Sequence, residues 1–442
     1  MKGARLLLAA LLPLGILACN AIVGVVDVQQ GNPGAFNPKD GGGGGGNPDN
    51  DSGDPGNVDG GGENTTDSGP GAAPPTVQVV GGFDHTCAKS KNGVLKCWGS
   101  NTLGQVGNGI GTFPDGGDPP NVITPSSVSM AGTDIVGIGN GLNHTCAIKS
   151  DHSLVCWGYN YSGQLGDGKK VPQSATPIAV SGVSNVVQVA GGIVFTCAVI
   201  SGGSVKCWGD NGHGQLGNGT NSATTAIVDV KNLNDAVEVA VGSYHACALR
   251  AGGTVSCWGM NTAGQLGNGK TMDAYTPTDV GVSQGMHVAA GFNFSCALKT
   301  TGQIMCWGGN DYGQLGNGAS TSAPTPTPAV VTGIQDAVSI GAGTNHACAV
   351  RKSGAVACWG LNDDGQLGIG QKSPTSGAPN ATPLPVVGIS NALAMGQVLG
   401  LHSCAVNANG VVLCWGTNFY GELAEDAMTQ HEYSPVSIAG FP

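Results

Sequence analysis

Between residues 76 and 442 short apolar runs alternate with clusters of glycine and polar residues, and the pattern recurs seven times. In one copy, Val186-Val187-Gln188-Val189-Ala190 alternates, is rich in β-branched residues and stops at Gly191-Gly192, which predicts a strand. Thr196 to Ile200 and Ser204 to Trp208 predict two more, joined by the hairpin signal Ser201-Gly202-Gly203. A fourth strand is predicted near Ala226 to Val230, after a glycine-rich loop. Four short strands in a unit of about 50 residues, repeated, is the arithmetic of propeller blades. The predicted fold is therefore all-β, a seven-bladed β-propeller of four-stranded blades.

Cysteine and tryptophan mark the repeat. Fourteen cysteines fall in pairs ten positions apart: Cys87 with Cys97, Cys146 with Cys156, Cys197 with Cys207, Cys247 with Cys257, Cys296 with Cys306, Cys348 with Cys358, and Cys404 with Cys414. Each second cysteine is followed by a tryptophan, and Trp98, Trp157, Trp208, Trp258, Trp307, Trp359 and Trp415 are all the tryptophans of the chain. A turn centred on position 202 sets Cys197 opposite Cys207. Directly opposed residues lie about 4.5–5.5 Å apart at Cα, within the span a disulfide bridges. Seven disulfides within hairpins are expected, each contributing about 2–3 kcal/mol. Zinc is the rival reading, since His85, His144, His245, His346 and His402 lie two positions before a first cysteine. Phe195 and Phe294 hold that place in two copies, which marks a packing position and not a ligand shell. No metal and no cofactor is expected. The tryptophans are expected to fill the space between blades, and the asparagine three positions after each to satisfy backbone in a tight turn.

Composition narrows the partners. Only 10% of residues are charged, the net charge is −11, and 78 of 442 residues are glycine. A helical bundle is excluded by the glycine, and nucleic acid by the lack of a basic footprint. The propeller segment has two arginines, Arg250 and Arg351.

Upstream of the repeats the chain changes character. Lys2 and Arg5 precede an apolar run from Leu6 to Leu17, and Ala18-Cys19 follows. A charged start, a short apolar run and a small residue predict a secretory signal over residues 1–18. The thiol after the cut resembles the lipobox of bacterial lipoproteins, so Cys19 is expected to carry lipid; it is also the one cysteine left unpaired by the repeats. Residues 19–75 contain the run Gly41 to Gly46 and almost no large apolar side chain after Val28, which predicts a disordered tether. Asp49 to Asp54 lacks the closing acid of a calcium loop and reads as linker. The protein is thus expected in the cell envelope, lipid-anchored at the outer membrane or cell surface, or else secreted.

Catalytic motifs are missing. There is no His-Glu-x-x-His; Gly281 to Gly285 and Gly264 to Thr271 carry the letters of Gly-x-Ser-x-Gly and of a phosphate loop, but neither stands between a predicted strand and a helix, as an elbow or a phosphate loop requires. Ser90-Lys91-Asn92-Gly93 resembles the Asp-box turn of sialidase propellers, but two arginines cannot build the three-arginine clamp of those enzymes. Asp363-Asp364 and Glu422, Glu425 and Asp426 depart from the repeat and read as solvated loop acids.

Gly-x-x-His-x-Cys-Ala, followed by Gly-x-Val-x-Cys-Trp-Gly-x-Asn-x-x-Gly-Gln-Leu-Gly, resembles the regulator of chromosome condensation repeat, in the cysteine-paired form of exported bacterial members. The resemblance implies the same seven-bladed ring. The family's nuclear exchange-factor role is opposed by the signal segment and the acidic balance, and its photoreceptor role by the absence of tryptophans beyond the seven. A secreted β-lactamase inhibitor of similar fold binds an enzyme with one propeller face. The expected function is a non-catalytic, lipid-anchored binding module, monomeric, taking a protein or envelope ligand on one face and touching membrane through its anchor alone. The alternatives are an envelope or secreted propeller hydrolase or lyase, and an exchange-factor-like regulator. The last copy, irregular at Val398 to His402, ends in Ser434-Pro435-Val436-Ser437-Ile438, and this segment is expected to close the ring by locking the last copy to the first.

Overall fold

A computed structural model describes residues 77–111, 120–130, 134–425 and 429–441. The signal segment, Cys19 and the linker to residue 75 lie outside the described residues. What is described is a ring of seven antiparallel sheets, each a four-strand meander from a single copy. Blade 3 is typical: Val186–Gly191, Phe195–Ile200, Val205–Gly209 and Thr224–Asp229, in that order from the axis outward. The four predicted strands are all present, shifted by one or two residues. Inner strands of successive blades touch one another all the way round.

All seven expected disulfides are formed, each between directly paired residues of one hairpin. Cys87 is bonded to Cys97, Cys146 to Cys156, Cys197 to Cys207 and Cys247 to Cys257. Cys296 is bonded to Cys306, Cys348 to Cys358 and Cys404 to Cys414. One expectation needs correcting: the Cα separations are 4.0–4.1 Å, shorter than the opposed-strand spacing predicted. The turn bond from Ser90 N to Val94 O makes Cys87 and Cys97 a non-hydrogen-bonded pair, where antiparallel strands run closest.

The core lies between blades and not within them. Seven apolar clusters correspond to the seven seams; one joins Cys146, Leu154 and Val186 to Ala198 and Trp208, for example. Blade-on-blade packing of this kind makes every blade dependent on two neighbours.

Ring closure differs from the expectation. The carboxyl-terminal strand His431–Ser437 pairs with Val412–Thr417 of its own copy and completes blade 7. Closure is made instead by the inner strand of blade 7, which is broken into Ala392–Met395 and Gln397–Val398. The second piece leaves its own sheet and pairs in parallel with blade 1, Val80 with Gln397 and Gly81 with Val398. From Met395, opposite Ala405, to His402 there is one residue more than from Val189, opposite Ala198, to Phe195 in blade 3, and the extra residue falls where Gln397-Val398 turns to the neighbour. The carboxyl end contributes packing, with Ile438 and Phe441 in the cluster that holds Val79 and Trp98, and one hydrogen bond, Lys96 Nζ of blade 1 donating to Gly440 O at 2.7 Å.

Candidate functional site

Each seam is organised around one carbonyl oxygen. The indole Nε1 of Trp157 donates to Gln105 O at 2.9 Å, and the other six tryptophans do the same to the matching residue of the preceding blade. The asparagine after each tryptophan takes the backbone N–H five residues on, Asn101 from Val106 for example, which folds the Gly-Gln-Leu-Gly loop so that this carbonyl points across the seam. The loop's second glycine has positive φ, and a Cβ on Gly107 would lie 2.4 Å from the Trp157 indole nitrogen.

The five histidines share this arrangement. Each places Nε2 2.8–2.9 Å from a hydroxyl of the following blade: His85 to Thr145, His144 to Thr196, His245 to Ser295, His346 to Ser403 and His402 to Thr86. Those hydroxyls donate their single proton to the seam carbonyl. Nε2 must therefore be the donor, and Nδ1 is left bare and without a partner in all five. Burial pushes these imidazoles down to about 3, so they are neutral. Where phenylalanine replaces histidine, the next blade loses its hydroxyl: Phe195 faces the blade of Ala246, and Phe294 the blade of Ala347. These are latches between blades, and a buried donor is spared wherever its acceptor would be missing.

The ring has two unlike ends. The turns from inner to second strand and the long loops after each tryptophan share one end, here the loop face. On it the axis is closed: backbone N–H groups run blade to blade, from Phe83 N to Leu142 O through Leu399 N to Gly81 O. Within that circle Leu142, Ile193, Phe292 and Leu399, from four different blades, meet in one apolar plug.

Around the plug stand the side chains that the repeat does not dictate. All seven tyrosines of the chain are at this end. Tyr159 and Tyr161 have ring centroids 5.6 Å apart, and Tyr161 is 61% exposed. His213 lies against Tyr244 and bonds Asp273 of the next blade at 2.9 Å. Phe419, 48% exposed, meets His431 edge-on, and His431 in turn stacks on Tyr433 and faces Asp364 of blade 6 at 3.4 Å. Acids are interspersed, with Asp84, Asp210, Asp311, Asp363 and Glu422 in these turns and loops. The lysines of this end, Lys169, Lys170, Lys270 and Lys372, sit at the far tips of the loops.

At the closing seam two of these acids are buried. Glu422 replaces the repeat's glutamine; its backbone oxygen still accepts from Trp98 and Thr86, both at 2.8 Å, and Oε2 takes Tyr420 N at 2.7 Å. Its Oε1 has no partner. Burial raises the Glu422 carboxyl to about 8 and Asp84 to about 7, well above ordinary carboxylates. The Asp84 charge, with burial, raises Tyr420 as well. A protonated Glu422 presents one acceptor and one donor, as the glutamine of the other six seams does. Glu422 is thus a buried seam residue, a correction to its reading as a solvated loop acid.

The structure brings the predicted tryptophans to the seams and the cysteines to the hairpins, and neither set to a functional surface. Asp363 and Asp364, read as solvated loop acids, are part of the loop face; Asp364 holds His431. The tyrosines, Phe419 and the pairing of Asp84 with Glu422 were not anticipated from the sequence, where Glu422 reads as a loop acid alone. The available signal was alignment of the copies on their tryptophans, because these residues occupy equivalent positions with different side chains. Both arginines lie at the opposite end, each ion-paired at 2.8 Å, Arg250 with Asp235 and Arg351 with Asp336. Among the described residues no group of three or more His, Cys, Asp or Glu could hold a metal ion.

Two family models, both described as the regulator of chromosome condensation (RCC1) repeat, match this chain. One covers residues 76–105, 135–164, 186–215, 236–265, 287–314 and 337–366; the other covers 151–199, 202–249, 252–298 and 301–350. The matches end before blade 7, the copy with the broken inner strand. Among curated proteins, the probable E3 ubiquitin-protein ligase HERC6 of Homo sapiens is 34% identical over 145 residues, 32% of this chain and 14% of its own length. The ultraviolet-B receptor UVR8 of Arabidopsis thaliana is 34% identical over 143 residues, 32% of this chain and 31% of its own. The chain thus spans less than a third of either relative. In a crystal structure of Kap60 bound to yeast RCC1 (Prp20), the matching chain superposes with a TM-score of 0.68 at 21% identity, covering 86% of this chain and 90% of that one. Human WBSCR16 gives 0.67 at 22% identity, covering 77% and 94%.

Proposed function

The chain belongs to the regulator of chromosome condensation (RCC1) repeat family, and from that premise we propose that it is an exported, lipid-tethered binding module whose loop face takes a protein partner rich in basic side chains. The observation that carries this reading is the contrast on one rigid ring between seams that repeat and a loop face that does not. Exposed tyrosine and phenylalanine beside carboxylates supply apolar contact area and charge complementarity for Lys and Arg of a partner. The rigid seams hold these groups in place before binding, which limits the ordering cost of association. With the axis plugged at this end, the ring offers a surface and not a reaction chamber. The ligase and receptor activities named for the relatives are not carried over, since the match covers less than a third of each.

Export and the anchor rest on the Leu6–Cys19 segment. Cys19→Ser should abolish labelling by a fatty-acid analogue and release the protein from membranes; unchanged membrane association overturns the lipid attachment. For the loop face, a Tyr161→Ala, Phe419→Ala variant should lose partner capture from envelope extract while keeping its melting temperature. Capture that is indifferent to this variant and abolished by hairpin-face substitutions would place the partner elsewhere.

A further inference from the structure

The end opposite the loop face carries a feature that the binding-module reading does not use. In six blades the inner strand begins with a β-bulge, where one residue is skipped by the ladder to the second strand. The skipped residues are Val136, Val187, Val237, Met286, Val338 and Leu393, apolar in every case. A bulge frees its extra residue from pairing and re-aims it. Val136, Val187, Val237 and Leu393 are 46–53% exposed, while Met286 and Val338 lean against the adjacent seams. Core packing explains none of the four exposed ones. Because the bulge recurs at the same place in successive blades, these side chains form a ring around the axis at one level, and such a ring matches a flat surface.

The charges of this end are opposite to those of the loop face. Lys91 and Lys352 are exposed in its turns, with Lys149 and Lys299 at the ends of second strands. Its acids are largely engaged: Asp235 and Asp336 with the two arginines, Asp151 with Ser153, and Asp229 at the outer edge with Lys206. Asp134 and Asp279 remain, the latter accepting from Gly281 N. The chain also enters the ring here. Val77 immediately precedes the first inner strand, Gln78–Gly81, and a Cβ on Gly410, in a hairpin turn of blade 7, would meet its side chain.

We propose that this hairpin face docks reversibly on a lipid surface bearing anionic headgroups, with the bulged residues entering the interface and the lysines meeting the charge. The proposal rests on the export reading and adds a second contact to the lipid at Cys19, where the sequence alone pointed to the anchor as the sole membrane contact. The Cys19 lipid would tether the chain through its long linker, and the basic patch with the bulged apolar side chains would hold the ring itself against the surface. The same orientation turns the loop face outward, toward a partner.

The test uses the full chain carrying Cys19→Ser, so that docking is measured without lipid attachment. It is sedimented with vesicles of equal parts phosphatidylglycerol and phosphatidylcholine, and with vesicles of phosphatidylcholine alone. Binding to the anionic vesicles only, released by salt, is expected. Replacing Val136, Val187, Val237 and Leu393 with Asn should weaken it at least about tenfold. Lys91→Gln and Lys352→Gln, both at exposed positions, should weaken it by about fivefold per lysine at low salt. Tyr161→Ala should leave it unchanged. No binding, equal binding to both vesicles, or binding indifferent to both sets of substitutions overturns the proposal. So does a dimer in solution that the Asn variant converts to monomer, since a second copy would then be the occupant. Failure here with successful fatty-acid labelling at Cys19 leaves the anchor standing and removes the docking face.

Discussion

The seams and the loop face are built from the same seven copies and follow opposite rules. Every seam repeats one device, a tryptophan of one blade donating to the loop carbonyl of the blade before it. On the loop face, the position before each histidine or phenylalanine is Asp84, Asn143, Val194, Tyr244, Asn293, Asn345 and Leu401, five kinds of side chain in seven copies. Stability resides in what recurs, and recognition in what does not. The two regions meet at the closing seam, where Glu422 belongs to both.

This contrast can be broken first from the seam side, by acid. The five latch histidines bind protons much less readily folded than unfolded, since burial lowers them from 6.5 to about 3. Their contribution is complete above pH 6.5 and is lost as pH falls toward 3. At pH 4 each latch should cost on the order of 3 kcal/mol, so the ring should unfold cooperatively on acidification with about five excess protons taken up. Melting followed between pH 7 and pH 3 checks this, and loop-face substitutions should leave the curve where it is. A ring that melts equally at pH 4 and pH 7 contradicts the latch account.

The next largest effect lies where the two regions overlap. The Glu422 and Asp84 carboxyls are raised to about 8 and about 7, so they hold protons more tightly folded than unfolded. Their stabilising share is present below about pH 4 and is lost as pH rises through 7 to 8. Glu422→Gln should remove about half of that loss, on the order of 4 kcal/mol at pH 9, and restore the chemistry of the other seams. Thermal melting of the two proteins at pH 5 and pH 9 decides it; an unchanged difference would show that Glu422 is not the strained group. Above pH 8 the wild-type ring should therefore be weakest at the junction of its first and last blades.

Smaller effects follow within single blades. Replacing Cys197 and Cys207 together with Ser should lower stability by about 2–3 kcal/mol without altering partner capture. The exchange His85→Phe with Thr145→Ala reproduces what blades 3 and 5 already contain. It should cost less than His85→Phe alone, which leaves the Thr145 oxygen without its imidazole donor, and the double-mutant difference of about 1 kcal/mol is measurable by denaturant titration.

The fold could be read from the sequence because its determinants are periodic and local. Cysteine spacing fixes the hairpin register, glycine marks the turns, and tryptophan marks the seams, so the strands of Val186 to Val230 lay within two residues of their places. The closure did not follow, since a missing segment before Thr76 and an extra one at Ser434 to Ile438 suggested an exchange between ends. In fact every copy begins at its inner strand, so each blade is complete from one copy, and the shift of Gln397-Val398 onto blade 1 depends on a contact between residues more than 300 positions apart. The loop face was hidden for a related reason. Tyr161, Tyr244, Phe419 and Asp364 come from different blades, and only the ring brings them to one surface. The His–hydroxyl pairing was written in the chain, as the matched losses at Phe195 with Ala246 and at Phe294 with Ala347, but it relates adjacent copies and is invisible within one.

The most direct test of the division between seams and face is a photo-crosslinking amino acid placed at Tyr161 on the loop face and, separately, at Val187 on the hairpin face, in the intact exported chain. The account predicts a discrete protein adduct from position 161 and none from position 187. A protein adduct from 187 with none from 161 would contradict it.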